Sequence, residues 1–403
     1  MKNIVLLTID TMRRDSWGSY NGKPVSYTPF LDEIQGHSIR FTRAYSGGPY
    51  TQAAFPGILS SSHYLEYGKT RGKCPAQRVL VSEVLQKAGF ATGAFHSNAY
   101  LCGFFGWNKG WDVFYDSMEA KVTERVPYTR AREINRKAAS FLRRQSSDRP
   151  FFLWVHYMDV HEPYMPEEKY RKRIDPAFDI TEDEMFAVFK QVVLKRDVSD
   201  PQKVALAKKL YDAHTLEVDD AARELFGMLD DYGFLENSTV IVTADHGEEF
   251  GEHGGLSHDG KMFDELVHVP LCIYQSDLAE GKVVDTLVST LDVSPTIAWL
   301  AGAEPDPSWQ GRSLFPLEAY DPSEGVYGEA IDKHGPRELG DEKEVHYHVE
   351  DHYKIVYHEL NDMWEVYDLE ADPEEKHSIA GDTTTTEYLM KKIIPRIGRY
   401  KKV

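Results

Sequence analysis

Residues Thr239 to His258 read TVIVTADHGEEFGEHGGLSH. The first five, Thr239, Val240, Ile241, Val242 and Thr243, are uncharged and β-branched, the composition of a strand buried on both faces. The texture then changes at once. Asp245, His246, Glu248, Glu249, Glu252, His253 and His258 follow, with glycine at 247, 251, 254 and 255. In an open α/β sheet ligands gather at the carboxyl ends of the strands, so an Asp-His pair leaving a buried strand stands where chemistry is done. A carboxylate oxygen beside an imidazole nitrogen suits a divalent cation, and the glycines let the backbone fold back around it. The opposing reading is a plain turn, with Asp bonding its own backbone and Gly supplying a positive φ. The density of Asp and His beyond the strand favours metal binding.

A second strand has to supply further ligands. Asn3 to Asp15, NIVLLTIDTMRRD, has the same form, a buried strand ending in Asp10 and Thr11. Ile39 to Ala44 is another short strand, and the loop SGGPY, Ser46 to Tyr50, leads to Thr51. Ala53 to Leu59 is expected as a short helix with a proline in its first turns. A hydroxyl at the start of such a helix meets backbone N–H groups and the positive dipole end, a good place for an anionic ester. Phe151 to Val155, FFLWV, is a further buried strand, followed directly by His156, Asp159, His161 and Glu162.

The rest of the chain supplies the frame. Val79 to Lys87 reads as a helix, Gly89 to His96 as a strand, and the aromatic, glycine-punctuated Phe104 to Phe114 as a loop engaged in local packing. Arg132 to Arg144 is a basic helix, Arg171 to Val198 a charged helical excursion, and Leu210 to Leu229 a long helix whose apolar residues fall near helical spacing. His214 on that helix reads as structural. Val269 to Tyr274 is a strand and Leu291 to Leu300 a helix. From about Pro305 the chain turns Pro- and Gly-rich. Short antiparallel strands follow at Tyr327 to Ile331, His346 to Val349, Tyr353 to Tyr357 and Trp364 to Tyr367, then a helix near Thr386 to Gly398. The pattern is an α/β fold with a smaller C-terminal α+β subdomain.

With 403 residues, 41% of them hydrophobic and 28% charged, the chain is globular and can bury a large core. A net charge of −19 argues against nucleic acid as a main partner, because the phosphate backbone would be repelled. Cys74, Cys102 and Cys272 are odd in number and lack metal-ligand spacing, which points to reduced packing thiols in a cytosolic compartment. No basic leader precedes the apolar Ile4 to Leu7, and no apolar run reaches about eighteen residues. The sequence is therefore read as cytoplasmic, neither secreted nor membrane-spanning.

Taken in order, these segments resemble the sulfatase family of the alkaline-phosphatase superfamily. LLTIDTMRRD is similar to its first strand and metal aspartate, TPFLDEIQGHSIRFTRAYS to the next segment and FLWVHYMDVHEPY to its middle histidine motif. VIVTADHGEEFGEHG resembles the second metal strand, LDVSPTIAWLAG the helix after it and VYDLEADPEE the C-terminal signature. The resemblance covers nearly the whole chain. It implies a large mixed, mostly parallel sheet sandwiched by helices over 1–304, with the C-terminal subdomain at 305–403 packed on it. Carried over position by position, Asp10, Asp245 and His246 match the metal ligands, and Thr51 falls at the nucleophile. His161 matches the histidine that contacts the anionic group, and His258 the residue near the leaving oxygen. Thr11 takes the place of a second acid found in some members.

One departure matters more than the matches. Sulfatases convert a Cys or Ser to formylglycine when Pro or Ala stands two positions on and Arg four positions on. Here the register is Thr51, Gln52, Ala53, Ala54, Phe55, so no formylglycine is expected. Cys74, Pro75, Ala76, Gln77 and Arg78 fit the short pattern, but they stand about twenty residues late and ahead of a helix. A threonine hydroxyl becomes a nucleophile when metal coordination lowers its pKa. A threonine sulfate ester has no carbonyl route of release, so phosphate mono- or diesters are favoured over sulfate esters. The expected cofactor is one divalent cation held by Asp10, Asp245, His246 and Thr51. It is Mn²⁺, Ca²⁺ or Mg²⁺ rather than Zn²⁺, since the set holds two carboxylates, a hydroxyl and only one imidazole; His253 or His214 could add one. The expected substrate is a small anionic ester, with a sugar as one possible carrier. A true sulfatase, a group transferase and a non-catalytic binding relative are the alternatives.

Overall fold

The computed structural model describes residues 2–399, apart from 23–25, 69–71, 117, 119, 259 and 334–341. In chain order its first strands are β1 (Asn3–Ile9), β2 (Ser38–Tyr45), β3 (Ala91–Phe95), β4 (Val113–Tyr115), β5 (Phe151–Tyr157) and β6 (Ser238–Ala244). The short β7 (Glu249–Phe250) and β8 (Leu256–Ser257) precede β9 (His268–Gln275) and β10 (Lys282–Ser289). Among the described residues, eight of these form one sheet in the order β10-β2-β9-β6-β1-β5-β3-β4. Only β9 runs against the other strands of this sheet, antiparallel to both β2 and β6. The apolar runs NIVLLTI, FFLWVHY and STVIVTA are the central strands β1, β5 and β6, buried along their whole length as double-sided cover requires.

Side-chain alternation on β5 shows how the helices divide between the two faces. Trp154 and His156 meet Phe55 of the helix Thr51–Ser60. Tyr157 points the other way, and its hydroxyl donates to Asn135 Oδ1 at 2.6 Å on the helix Ala131–Leu142. Asn135 in turn donates to the Ala221 carbonyl of the helix Pro201–Asp231 at 2.8 Å.

The C-terminal strands β11 (Val326–Ile331), β12 (Glu344–Glu350), β13 (Tyr353–His358) and β14 (Met363–Asp368) form an antiparallel meander. The helix Thr383–Ile393 covers it through Leu389 and Ile393. The meander docks beside the loop that leads to Thr51. Glu329 N donates to the Gly47 carbonyl at 3.0 Å, and a Cβ at Gly328 would lie 2.2 Å from the Tyr347 ring, so only glycine allows this approach. Lys354, fully buried on β13, ties the meander to the turn before β9 by an ion pair of 2.9 Å to Asp264 and to the loop after β14 by one of 2.8 Å to Glu375.

Several elements differ from the sequence reading for physical reasons. β10 was not expected, because KVVDTLVS is largely exposed along its first five residues, as an edge strand can be. β4 emerges from the end of the aromatic loop as a three-residue edge strand. The last helix begins at Thr383, where Asp382 caps it by accepting from Thr384 N at 3.2 Å. The charged helical excursion expected over Arg171 to Val198 is helical at Glu182–Val188, capped by Thr181 and continued by one π turn at Phe189–Val193.

Burial holds His96 and His348 neutral. His96 is pushed down to about 3 and His348 to about 4, in each case chiefly by burial. Between the ordinary value of 6.5 and about 4, the unfolded chain takes up protons that the folded chain refuses, so stability falls as pH falls. Each group contributes up to about 1.4 kcal/mol per pH unit in that window. In urea unfolding at pH 6.5 and 5, His348→Gln should lose less stability on acidification than the parent; equal losses would mean that His348 is charged in the folded state.

Candidate active site

Because β1 and β6 are adjacent, parallel and in register from Asn3↔Ser238 to Ile9↔Ala244, the next residues, Asp10 and Asp245, lie side by side at the sheet's carboxyl edge. His246 follows, and all three are fully buried. Asp245 Oδ1 accepts from Thr11 N at 3.3 Å and His246 N at 2.9 Å, which leaves Oδ2 for other use. His246 Nδ1 donates to the Gly247 carbonyl at 2.9 Å, which turns Nε2 inward, 3.4 Å from Asp245 Oδ2 and 3.6 Å from Asp10 Oδ1. Among the described residues, Asp10 Oδ1, Asp245 Oδ2 and His246 Nε2 are buried and have no hydrogen-bond partner. Buried polar atoms are rarely left so, and these three residues bring ligand atoms within 4.8 Å of one another. The arrangement fits a divalent cation.

The electrostatics agree. Burial would raise Asp10, but the hydrogen bond with His156 and the charges of His161, His156 and His246 carry it below the usual carboxylate range. Burial and then the charge of Asp10 push Asp245 well up. His246 is lowered to about 4 by burial, against the pull of Asp10, so at neutral pH it offers a lone pair. Two carboxylates in one dry site repel until a cation joins them.

Thr51 is the first residue of its helix and is buried. It reaches the cluster through a residue the sequence reading did not single out. Asn98 Nδ2 lies 2.8 Å from Asp10 Oδ2 and 3.2 Å from Thr51 Oγ1, bridging the two. Its own Oδ1 accepts from Tyr100 N at 3.0 Å, which sets the direction of the amide. The available signal was an Asn just past β3, the same strand-end position as the other site residues. His156, also unassigned beforehand, lies 3.2 Å from Asp10 Oδ2 through Nε2 and 2.8 Å from Thr8 Oγ1 through Nδ1.

The two predicted substrate histidines meet above this cluster. His161 stacks edge-on to His258 at 4.9 Å between ring centroids, and His258 lies 4.6 Å from His246. His161 Nδ1 donates to the Glu162 carbonyl at 2.7 Å, and His258 Nδ1 lies 3.0 Å from Glu248 Oε1, so both rings keep Nε2 for a ligand. Burial first, then the charges of His246 and His161, lower His258 well below its ordinary value.

Other candidates fall elsewhere. His214 Nε2 accepts from Met165 N at 2.8 Å, the structural role expected. His253 lies 3.2 Å from Glu265, outside the Asp10 cluster. Thr11 sits at φ 53° with a buried hydroxyl that has no hydrogen-bond partner among the described residues. Cys74 is a buried free thiol, raised by burial, and its N–H donates to the Phe105 carbonyl. Arg78 is spent on Ser62 Oγ and the carbonyls of His63 and Tyr64. None of these partners belongs to the Asp10 cluster.

The family model Sulfatase matches residues 2–303. The chain belongs to the sulfatase family. It is an ester-bond hydrolase of that family, and residues 251–402 also match a model described as N-sulphoglucosamine sulphohydrolase, C-terminal. The uncharacterized sulfatase YidJ of Escherichia coli (strain K12) is 25% identical, over 94% of this chain and 83% of its own. The fold is shared with a protein solved with its substrate D-glucosamine-2-N,6-O-disulfate (TM-score 0.81, 20% identity, 99% and 98% of the two chains). It is shared equally with the phosphonate monoester hydrolase of Agrobacterium radiobacter (TM-score 0.79, 18% identity, 99% and 96%). Among the described residues no helix is long and apolar enough to cross a membrane.

Cation binding to the folded state alone should raise stability by about 2.7 kcal/mol at a hundredfold excess over Kd. Thermal unfolding with and without Mn²⁺ checks this. Asp245→Asn should abolish the cation's effect yet leave the metal-free protein at least as stable as the parent, because it removes a buried carboxyl whose ionisation burial and Asp10 oppose. A variant that stays cation-stabilised would place the ion elsewhere.

Proposed function

We propose that the chain is a metal-dependent hydrolase of small anionic esters with Thr51 as its nucleophile, and that phosphate mono- or diesters are its preferred substrates. The observation that carries this reading is the Asn98 amide, which joins the Thr51 hydroxyl to the metal-side carboxylate Asp10. Asp10, Asp245 and His246 would hold one divalent cation together with Thr51, and an oxygen-rich donor set favours Mn²⁺, Ca²⁺ or Mg²⁺ over Zn²⁺. Such a cation, when bound, lowers the pKa of a hydroxyl and draws charge from a non-bridging oxygen.

The chain's own residues do the rest. Thr51 Oγ, releasing its proton to solvent, attacks phosphorus in line, forming a Thr51–O–P bond as the bond to the ester oxygen breaks. The open amino end of the helix Thr51–Ser60 favours the charge that gathers there. His161, through Nε2, holds the anionic group, and His258, taking up a proton as the anionic ester enters beside it, gives that proton from Nε2 to the leaving oxygen, with Glu248 at Nδ1 favouring the charged ring. Water then attacks phosphorus, giving a proton to His258 Nε2, and the P–Oγ bond breaks, so that Thr51 Oγ takes back a proton from solvent and the phosphate departs. A sulfate on threonine lacks the release route open to a formylglycine hydrate, which is why phosphorus chemistry is preferred. A fold shared with a phosphonate monoester hydrolase is in keeping with that, and the neighbour solved with a glucosamine disulfate makes a sugar ester a reasonable carrier. Family membership supports the second reading, a true sulfuric-ester hydrolase.

Turnover of aryl sulfate, aryl phosphate and bis-aryl phosphate by Mn²⁺-loaded protein, with Thr51→Ala and Cys74→Ala alongside, tests the proposal. Thr51→Ala should lower kcat for the phosphate esters on the order of 10³-fold or more, while Cys74→Ala leaves it unchanged. His161→Ala and His258→Ala should each lower it on the order of 10²-fold. Sulfate turnover that depends on Cys74 would overturn the assignment of Thr51.

A further inference from the structure

Glu248 is a carboxylate at 0% exposure, two residues beyond His246. Its Oε1 lies 3.0 Å from His258 Nδ1, and its Oε2 accepts a 2.8 Å hydrogen bond from the Tyr164 hydroxyl. The main chain is held as firmly, with the Glu248 carbonyl accepting from Arg13 Nη1 at 2.9 Å and its N–H donating to the Glu265 carbonyl at 3.1 Å. Behind it, the Tyr164 ring packs edge-on against Tyr211 at 5.8 Å. The Tyr211 hydroxyl donates to the Thr11 carbonyl at 2.9 Å and accepts from Arg13 N at 2.8 Å. One continuous strut therefore runs from the turn after β1, through Tyr211, Tyr164 and Glu248, to the ring of His258.

Burying a carboxylate is costly, and an apolar side chain would fill this space at least as favourably if packing were all that was asked of it. The carboxylate does something an apolar group cannot. It engages one ring nitrogen of His258, which fixes the rotation of the imidazole and leaves Nε2 as the nitrogen that can meet a ligand. A histidine oriented by a buried third group is a recurring arrangement in hydrolytic sites.

We propose that Glu248, braced by Tyr164, is a positioning residue for His258, holding Nε2 towards the leaving oxygen of the ester. The inference rests on the reading of His258 given above and adds no bond-making step to it.

The experiment is a kinetic series of aryl phosphates whose phenols range from nitrophenol to unsubstituted phenol, with Glu248→Ala, Glu248→Gln, Tyr164→Phe, His258→Ala and the double variant E248A/H258A. A poor leaving group needs His258 and a good one does not. Glu248→Ala should lower kcat about 10- to 100-fold for phenyl phosphate and only a few-fold for nitrophenyl phosphate, with KM nearly unchanged. Glu248→Gln, whose amide oxygen can still accept from Nδ1, should recover most of the loss, and Tyr164→Phe should show a smaller loss of the same pattern. The double variant should be no slower than His258→Ala alone. Equal losses for all leaving groups, or losses that add in the double variant, would mean a merely structural role and overturn the proposal. A second readout needs no turnover: the low-field proton resonance of the Glu248–His258 hydrogen bond, assigned by its loss in His258→Ala. It should be present in the parent and absent in Glu248→Ala; its persistence there would refute the positioning role even if no ester is hydrolysed, an outcome that would separately sink the functional reading.

Discussion

Three buried polar atoms that have no hydrogen-bond partner among the described residues, Asp10 Oδ1, Asp245 Oδ2 and His246 Nε2, are the constraint on which the rest of the site depends. The fold puts them together by pairing β1 with β6 in register, so that the residues just past each strand cannot avoid one another. In water such groups would cost nothing; in a dry sheet edge they are a standing debt of electrostatic energy unless a cation joins them. Everything near them is arranged to keep them in place. Gly247 fixes the His246 tautomer, His156 holds Asp10 ionised, and Asn98 ties Asp10 to the first residue of the helix Thr51–Ser60.

The outer part of the site is built on the same edge but by other means. His161 comes from the turn after β5 and His258 from just past β8, in the excursion that follows β6, and their rings meet because β5 and β6 both flank β1. The C-terminal meander contributes by position. Its approach through Gly328 and the Gly47 carbonyl holds the loop before Thr51 from behind, so a hydroxyl at a helix start is fixed without a side-chain cap.

Much of this was legible in the sequence because its signals are strong. Uninterrupted β-branched and aromatic runs such as TVIVT and FFLWV have few alternatives to a doubly covered strand, and acids or histidines placed directly after them mark the working edge. What was not legible depends on pairing in space. The direction of β9 cannot be read from its composition, and β10 hides because an edge strand needs only part of its length buried. Asn98 looks like any polar residue in a turn until its amide is seen between Asp10 and Thr51. Glu248 is lost in an acidic run, and its role shows only when its Oε1 is seen 3.0 Å from His258 Nδ1.

The identity of the nucleophile is the central claim, and the most direct measurement of it is the mass of the covalent intermediate. Mn²⁺-loaded protein mixed with an aryl phosphate, quenched in acid during turnover and digested, should yield a peptide carrying one phosphoryl group on Thr51. That adduct should be missing from Thr51→Ala. A phosphoryl or sulfuryl group on another residue, or a formylglycine at Cys74, would contradict the account.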